Sequence, residues 1–167
     1  MSKTIIILGS ARKDSHTRTL LRNVFQEVDH ELIDLLDYLI APFDYGANYP
    51  KEDQFSELTE KMLHAERIVF ATPVYWYSMS GILKTFFDRF TDLVSVEKEK
   101  GRALEGKHVY LFSVGADPEA PQGFDIPFRL TAAYLHMLFH EGVYISSRSE
   151  SFEGVEMAKE TFQNYLN

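Results

Sequence analysis

Cysteine is absent from this 167-residue chain. That excludes disulfides, a thiol nucleophile, a thiol redox pair and cysteine-ligated iron–sulfur centres. Any redox chemistry must then reside in a bound organic cofactor. Positive charge is scarce: 17 Lys and Arg stand against 25 Asp and Glu, a formal net charge of -8. A surface of that sign does not attract polyphosphate as a whole, which argues against nucleic acid as a partner. An anion would have to be held by a local site. No apolar run approaches a membrane span, so no membrane insertion is expected. The apolar run before Gly9 is far too short for the core of a secretory signal, and a cytoplasmic location follows as the default.

Several motifs are missing as well. There is no G-x-x-x-x-G-K-[ST] and no G-x-G-x-x-G, so neither the Walker-type cradle nor the usual dinucleotide fingerprint is supported. There is no G-x-S-x-G elbow and no H-E-x-x-H. His108, His136 and His140 lack carboxylates at metal-ligand spacing, and no metal site is expected. The first strand carries no terminal acidic pair and the third ends in Ala71-Thr72, which weakens a phosphoacceptor-switch reading.

What is present is an alternation. Hydrophobic residues make up 45% and charged residues 25%, the balance of a folded domain, and the length suits one domain over residues 1–167. Ile5-Ile6-Ile7-Leu8, Ile68-Val69-Phe70-Ala71 and Val109 to Val114 are continuous apolar runs, the signature of strands covered on both faces. His30 to Leu36 and Val143-Tyr144-Ile145 are weaker strand candidates. Helical spacing joins Leu20, Leu21, Val24, Phe25 and Val28, then Phe55, Leu58, Met62 and Leu63, then Ile82, Leu83, Phe86, Phe87, Phe90 and Leu93. It returns at Leu130, Ala133, Tyr134, Met137 and Leu138, and finally from Val155 to Leu166. Residues 95–106 read as a charged, solvated stretch, and Asp37 to Asp53 as a long connection. Five strand–helix alternations predict a parallel sheet with helices on both faces, and a ligand crevice beyond the carboxyl ends of the strands.

Three loops leave those ends. Gly9–Thr17 (GSARKDSHT) offers hydroxyls on Ser10, Ser15 and Thr17, the ring nitrogens of His16, the forked donors of Arg12 and the charge of Lys13, at the start of a helix. It can hold a phosphate; Ser15 or Thr17 can equally be no more than a helix cap. The second loop runs TPVYWYSMSG from Thr72 to Gly81. Its consecutive Tyr75, Trp76 and Tyr77 cannot all enter one core, so at least one faces solvent, a ligand or a partner. Ser80 and Gly81 read as a helix entry, Met79 as packing, and Lys84, Asp88 and Arg89 as surface or interface ion pairs. The third loop, Gly115 to Gly123, follows Ser113, which can line the far side of a planar ligand or belong to an ordinary connection.

GSARKDSHTRTL at residues 9–20 and TPVYWYSMSGILKTFFDR at residues 72–89, each at a strand end, resemble the flavodoxin-like NAD(P)H-dependent FMN reductase and quinone reductase family. The resemblance covers nearly the whole chain. It departs at Ser15-His16, where many relatives have Gly-Asn. It implies an α/β three-layer sandwich with a five-stranded parallel sheet in the order 2-1-3-4-5, forming one FMN-binding domain. It implies FMN with its phosphate on Ser10, Arg12, Ser15, His16 and Thr17. Pro73, Val74, Tyr75, Trp76, Tyr77 and Ser78 would line the ribityl chain and ring, with Ser113 and Gly115 at the third side. It further implies NADH or NADPH as hydride donor, a quinone, free flavin or similar small acceptor, and a homodimer, for which the stripe Phe86, Phe87 and Phe90 is one candidate face and core packing the other reading. No side-chain nucleophile or general base is required, and no catalytic residue is assigned. Two other readings stay open at this point: a one-electron carrier docking a protein partner, and a flavin-free contact domain.

Overall fold

The computed structural model describes residues 3–148 and 152–166, without the side chains of Phe152, Glu153 and Leu166. The apolar runs become strands: β1 (Thr4–Leu8), β2 (Glu31–Asp34), β3 (Arg67–Pro73) and β4 (His108–Gly115). Two short strands follow, β5 (Leu138–Phe139) and β6 (Val143–Ser146). All pair in parallel in the order β2-β1-β3-β4-β5, with β6 also on β4. The expected order thus holds, but the edge position beside β4 is divided between two strands. His108 and Val109 pair with β5, and Phe112 to Gly115 pair with β6. Between them the His140 ring turns onto the sheet, where Nε2 lies 2.8 Å from His108 Nδ1 and the ring stacks on Tyr110.

Side chains alternate across the sheet as the pleat requires. Ile6, Leu8, Val69, Ala71, Phe112 and Val114 face α1 (His16–Val24) and α7 (Phe152–Leu166). Ile5, Ile7, Ile68, Phe70, Val109 and Leu111 share a second core with α2 (Phe55–His64), α3 (Gly81–Asp88), α4 (Phe90–Ser95) and α6 (Ile126–Tyr134). Phe86, Phe87 and Phe90 are buried there against Phe55, Phe70 and Phe128, so this stripe is core. The stretch 95–106 is not merely solvated: it contains α5 (Lys98–Arg102), with Gly101 and Leu104 buried. Gly101 fits because a Cβ there would stand 2.1 Å from the carbonyl oxygen of Leu93. Along α6 the buried face is Phe128 and Ala132, continued by Leu135, whereas Leu130 and Tyr134 point outward.

Arg89, expected at the surface, is instead buried where α3 gives way to α4. Its Nε donates to Asp92 Oδ2 (2.7 Å), and Nη1 and Nη2 form a fork on Asp53 (2.8 and 3.1 Å). Nη1 also donates to the carbonyl of Ala41, and the Tyr49 ring lies 3.5 Å from the guanidinium carbon. These contacts pin the long connection over residues 38–54 to the helical layer. Burial pushes the Asp53 carboxyl up, but the Arg89 guanidinium and the N–H groups of Ala41 and Phe55 outweigh it and hold the carboxyl below its ordinary range. A depressed carboxyl stabilises the fold above its unfolded pKa, and that stability is lost as pH falls through the folded value. Asp53→Asn is therefore expected to cost about 1–3 kcal/mol near neutral pH by urea unfolding, because it takes one carboxylate from the buried fork and leaves Asp92 as the counter-ion of Arg89. The deficit should shrink as pH falls below about 4, where the carboxyl of the unfolded parent chain takes up its proton before the folded one does.

Candidate functional site

The strand order reverses between β1 and β3, and their carboxyl ends finish side by side. Gly9 N–H donates to the carbonyl of Ala71 (2.8 Å). A Cβ on Gly9 would lie 2.5 Å from Leu83 Cβ, so glycine lets α3 sit directly against the end of β1. Ser80 locks this corner. It is the N-cap of α3, accepting from Leu83 N–H through Oγ, and the same hydroxyl donates to the carbonyl of Gly9 (2.7 Å). Its own N–H donates to Thr72 Oγ1 (3.1 Å). The sequence signalled Ser80 only as a helix entry; its tie to the first loop, 71 residues away, had no local signal.

In the first loop Ser10 is 1% exposed, and its Oγ has no hydrogen-bond partner among the described residues. A buried hydroxyl without a partner is costly unless a ligand or water completes it. Ser15 is the N-cap of α1, its Oγ accepting from Arg18 N–H (3.2 Å), so the capping reading holds for it. Its own proton stays available to donate. Thr17 is buried in the first helical turn, His16 is half-buried, and Arg12 is exposed on the loop. The amides of that first turn point back over the loop, as at any helix N-terminus. Lys13 does not turn to the cradle's centre: it pairs with Asp37 and, at 3.3 Å, with Asp34. The bond to Asp37 raises its ammonium above the ordinary value against the opposing effect of desolvation, and Asp34 adds to the rise.

The second loop is a tight hairpin. Pro73 is buried at the end of β3, and Val74 N–H continues the ladder to the carbonyl of Val114 (2.8 Å). Tyr75 and Ser78 exchange two backbone hydrogen bonds (2.9 and 3.0 Å). Between them Trp76 (φ 47°) and Tyr77 (φ 65°) both lie in the left-handed region, the signature of a type I′ turn. That turn favours Asn-Gly, and bulky residues there are strained. The geometry throws Trp76 (92% exposed) and Tyr77 (71%) into solvent above the strand ends, with Ser78 also exposed. Met79 turns back into the core, as expected.

At the third loop Ser113 is buried, and its Oγ donates to the carbonyl of Val143 (3.3 Å). A cavity of about 240 Å³ lies beside it, lined by Leu111, Pro121, Phe124 and Tyr144 among others. Gly115 leaves room for Tyr144, whose hydroxyl would be 2.5 Å from a Cβ there and donates to the carbonyl of Asp117 (2.8 Å). Ser146, paired with Gly115, is a second buried hydroxyl without a hydrogen-bond partner among the described residues. The sequence did not signal it: one serine at the end of a weak strand carries no pattern.

A doubly wound parallel sheet with a polar cradle and an aromatic turn at its reversal point defines a flavodoxin-like α/β protein. The chain belongs to the NADPH-dependent FMN reductase family, whose model matches residues 2–150. It is 30% identical over 131 residues to the NAD(P)H-dependent FMN-containing oxidoreductase YwqN of Bacillus subtilis, covering 74% of this chain and 72% of that one. It is 33% identical over 95 residues to the FMN-dependent NADPH-azoreductase of Staphylococcus aureus, a match over 52% of this chain and 50% of the relative. Among solved structures, the Trp repressor binding protein of Bacillus subtilis superposes with a TM-score of 0.74 at 25% identity, over 95% of this chain and 98% of the other. An NADPH-quinone reductase of P. pentosaceus shares the fold, with a TM-score of 0.75 at 18% identity, over 99% and 98% of the two chains. Family membership makes this chain an FMN-dependent oxidoreductase driven by NAD(P)H.

The turn yields a test of its own. Replacing Trp76-Tyr77 with Asn-Gly is expected to stabilise the ligand-free protein by about 1–3 kcal/mol, read as a rise in Tm, because it relieves two strained residues. A fall in Tm would show that the exposed rings are themselves part of the packing.

Proposed function

We propose that the chain acts as one FMN-binding unit that reduces a small, planar, electron-poor acceptor with NADH or NADPH. The observation carrying this reading is the pairing of two unlike loops across the Ser80 lock: a cradle with an unsatisfied buried hydroxyl beside a turn strained to expose two aromatic rings. The donor set fits a flavin phosphate. Ser10, Ser15 and Thr17 offer hydroxyls, Arg12 an exposed fork, and His16 with the first turn of α1 completes the ring of donors. Pro73, Val74, Tyr75, Trp76, Tyr77 and Ser78 would run along the ribityl chain and ring. Gly115, with Ser113 behind it, would close the third side.

FMN, when bound, supplies the hydride chemistry, accepting two electrons and a proton from NAD(P)H and passing them to the acceptor. The chain's own contribution is placement. The cradle fixes the phosphate, the hairpin amides can bond the ring edge, and the exposed aromatic faces give a planar acceptor an apolar surface at little rotamer cost. The names of the azoreductase and quinone-reductase relatives support an azo compound or quinone as acceptor, with free flavin as a third. No helix among the described residues is long and apolar enough to cross a membrane, which accords with action in the cytoplasm on diffusible substrates. We extend the proposal to a homodimer. Its support is not the buried phenylalanine stripe but Ile126, Leu130 and Tyr134, exposed at four-residue intervals on α6 with Val94 exposed on α4.

FMN added to the purified protein is expected to survive desalting and to quench the emission of Trp76, the chain's single tryptophan. NADH or NADPH should then bleach the flavin spectrum without oxygen. Flavin retained but refractory to both nicotinamides would favour the electron carrier instead. Failure to bind FMN at all would remove the reading.

A further inference from the structure

Asp34 closes β2 with its side chain 3% exposed, a depth at which a carboxylate needs partners. It has three, from three segments. One oxygen accepts from Leu36 N–H (2.9 Å), capping the 3-10 turn Leu35–Asp37. The other takes Lys13 of the first loop, at 3.3 Å, and the guanidinium of Arg18. Arg18 stands in the first turn of α1, the end of a helix where a cation is disfavoured, and no acidic residue of that turn offsets it. Asp34 supplies the missing charge from the neighbouring strand.

We infer that Asp34 is a positioning residue for the phosphate cradle: its buried carboxylate fixes Lys13 and Arg18, which bracket Ser15, His16 and Thr17, and so sets the shape in which the loop meets its anion. The inference rests on the FMN reading above and assigns this site a residue that would not touch the ligand. The loop itself is exposed from Ala11 to Asp14, so its shape depends on such tethers. Asp37 also holds Lys13, but with its side chain 61% exposed it is a weak anchor. Arg12 and Asp14 are exposed on the same loop and complete the local charges.

Two effects of removing the Asp34 charge have opposite signs. Simple electrostatics says that deleting an acid near an anion site tightens binding. Loss of positioning says that it loosens binding, and only for ligands that carry the phosphate. Asp34→Asn keeps the volume and an acceptor for Leu36 N–H while removing the charge. Dissociation constants for FMN and for riboflavin, which lacks the phosphate, are read by flavin fluorescence on the full-length chain.

The parent protein is expected to favour FMN over riboflavin by more than tenfold. In Asp34→Asn the FMN constant should rise about tenfold and the riboflavin constant stay within twofold, while Asp37→Asn changes both by less than twofold. Tighter or unchanged FMN binding in Asp34→Asn overturns the inference, as does an equal loss for both flavins. If Asp34→Asn does not fold by circular dichroism, Asp34→Glu keeps the charge while displacing the carboxylate by one methylene, and must narrow the FMN-to-riboflavin ratio in its place; an unchanged ratio overturns the inference. A parent protein that binds the two flavins equally would overturn the phosphate cradle and this inference with it. A parent that discriminates, beside a variant that discriminates as well, overturns the inference alone.

Discussion

The Ser80 hydroxyl joins the carboxyl end of β1, through the carbonyl of Gly9, to the first turn of α3, while the Ser80 amide reaches Thr72 on β3. The rest of the site depends on this junction. A parallel sheet can bring two loops near each other, but each loop hangs from one strand and is free to move against the other. Here three buried polar groups satisfy one another across the gap, and a buried polar group left unpaired costs on the order of 1–3 kcal/mol. Opening the corner therefore carries a penalty well above thermal energy. Gly9 sharpens the constraint, because α3 approaches β1 too closely for any larger residue to separate them.

With that corner fixed, strain can be confined to the hairpin beyond it. Pro73 and Met79 are buried on either side of the turn, and Val74 is hydrogen-bonded to β4. Only Trp76 and Tyr77 take left-handed conformations there, and both stand largely in solvent. A turn built for stability would place Asn-Gly at these positions. Holding two large rings in the disfavoured conformation makes sense for a surface whose use is to meet something flat. The Arg89 cluster acts at the neighbouring border, tying the long 38–54 connection to the helices that carry the hairpin.

How much of this the residues declare in advance depends on how local the cause is. β1, β3 and β4 were legible because burial on both faces leaves a continuous β-branched and aromatic run. The cradle and the aromatic loop were legible because their composition is odd for strand ends. Arg89 was not, since its partner Asp53 lies 36 residues away and a charged side chain beside Asp88 looks like surface. On α6 two stripes have helical spacing, and only the tertiary packing chooses Phe128 and Ala132 over Leu130 and Tyr134. α5 escaped notice because its charges are real; a single close contact at Gly101 draws it in. The divided edge strand turns on His140, whose ring stacks on Tyr110 thirty residues away.

The same contrast between local and global causes governs the charge of the site. With a net charge of -8, the chain as a whole repels anions. Yet exposed charges act over roughly 8–10 Å at physiological salt, so distant acids are largely screened and the nearest groups decide what binds. At the cradle those groups are Arg12, Lys13 and Arg18, with Asp34 drawing the last two into fixed positions. Such an arrangement suits one phosphate on a small molecule. A polyanion that must lie across many square ångströms meets the screened but collective repulsion of the surrounding surface as soon as it extends beyond the loop. Scarcity of positive charge then becomes part of the selectivity: Lys13 and Arg18 are engaged in holding the loop's shape, which leaves Arg12 with the hydroxyls and amides of the cradle to meet a single phosphate.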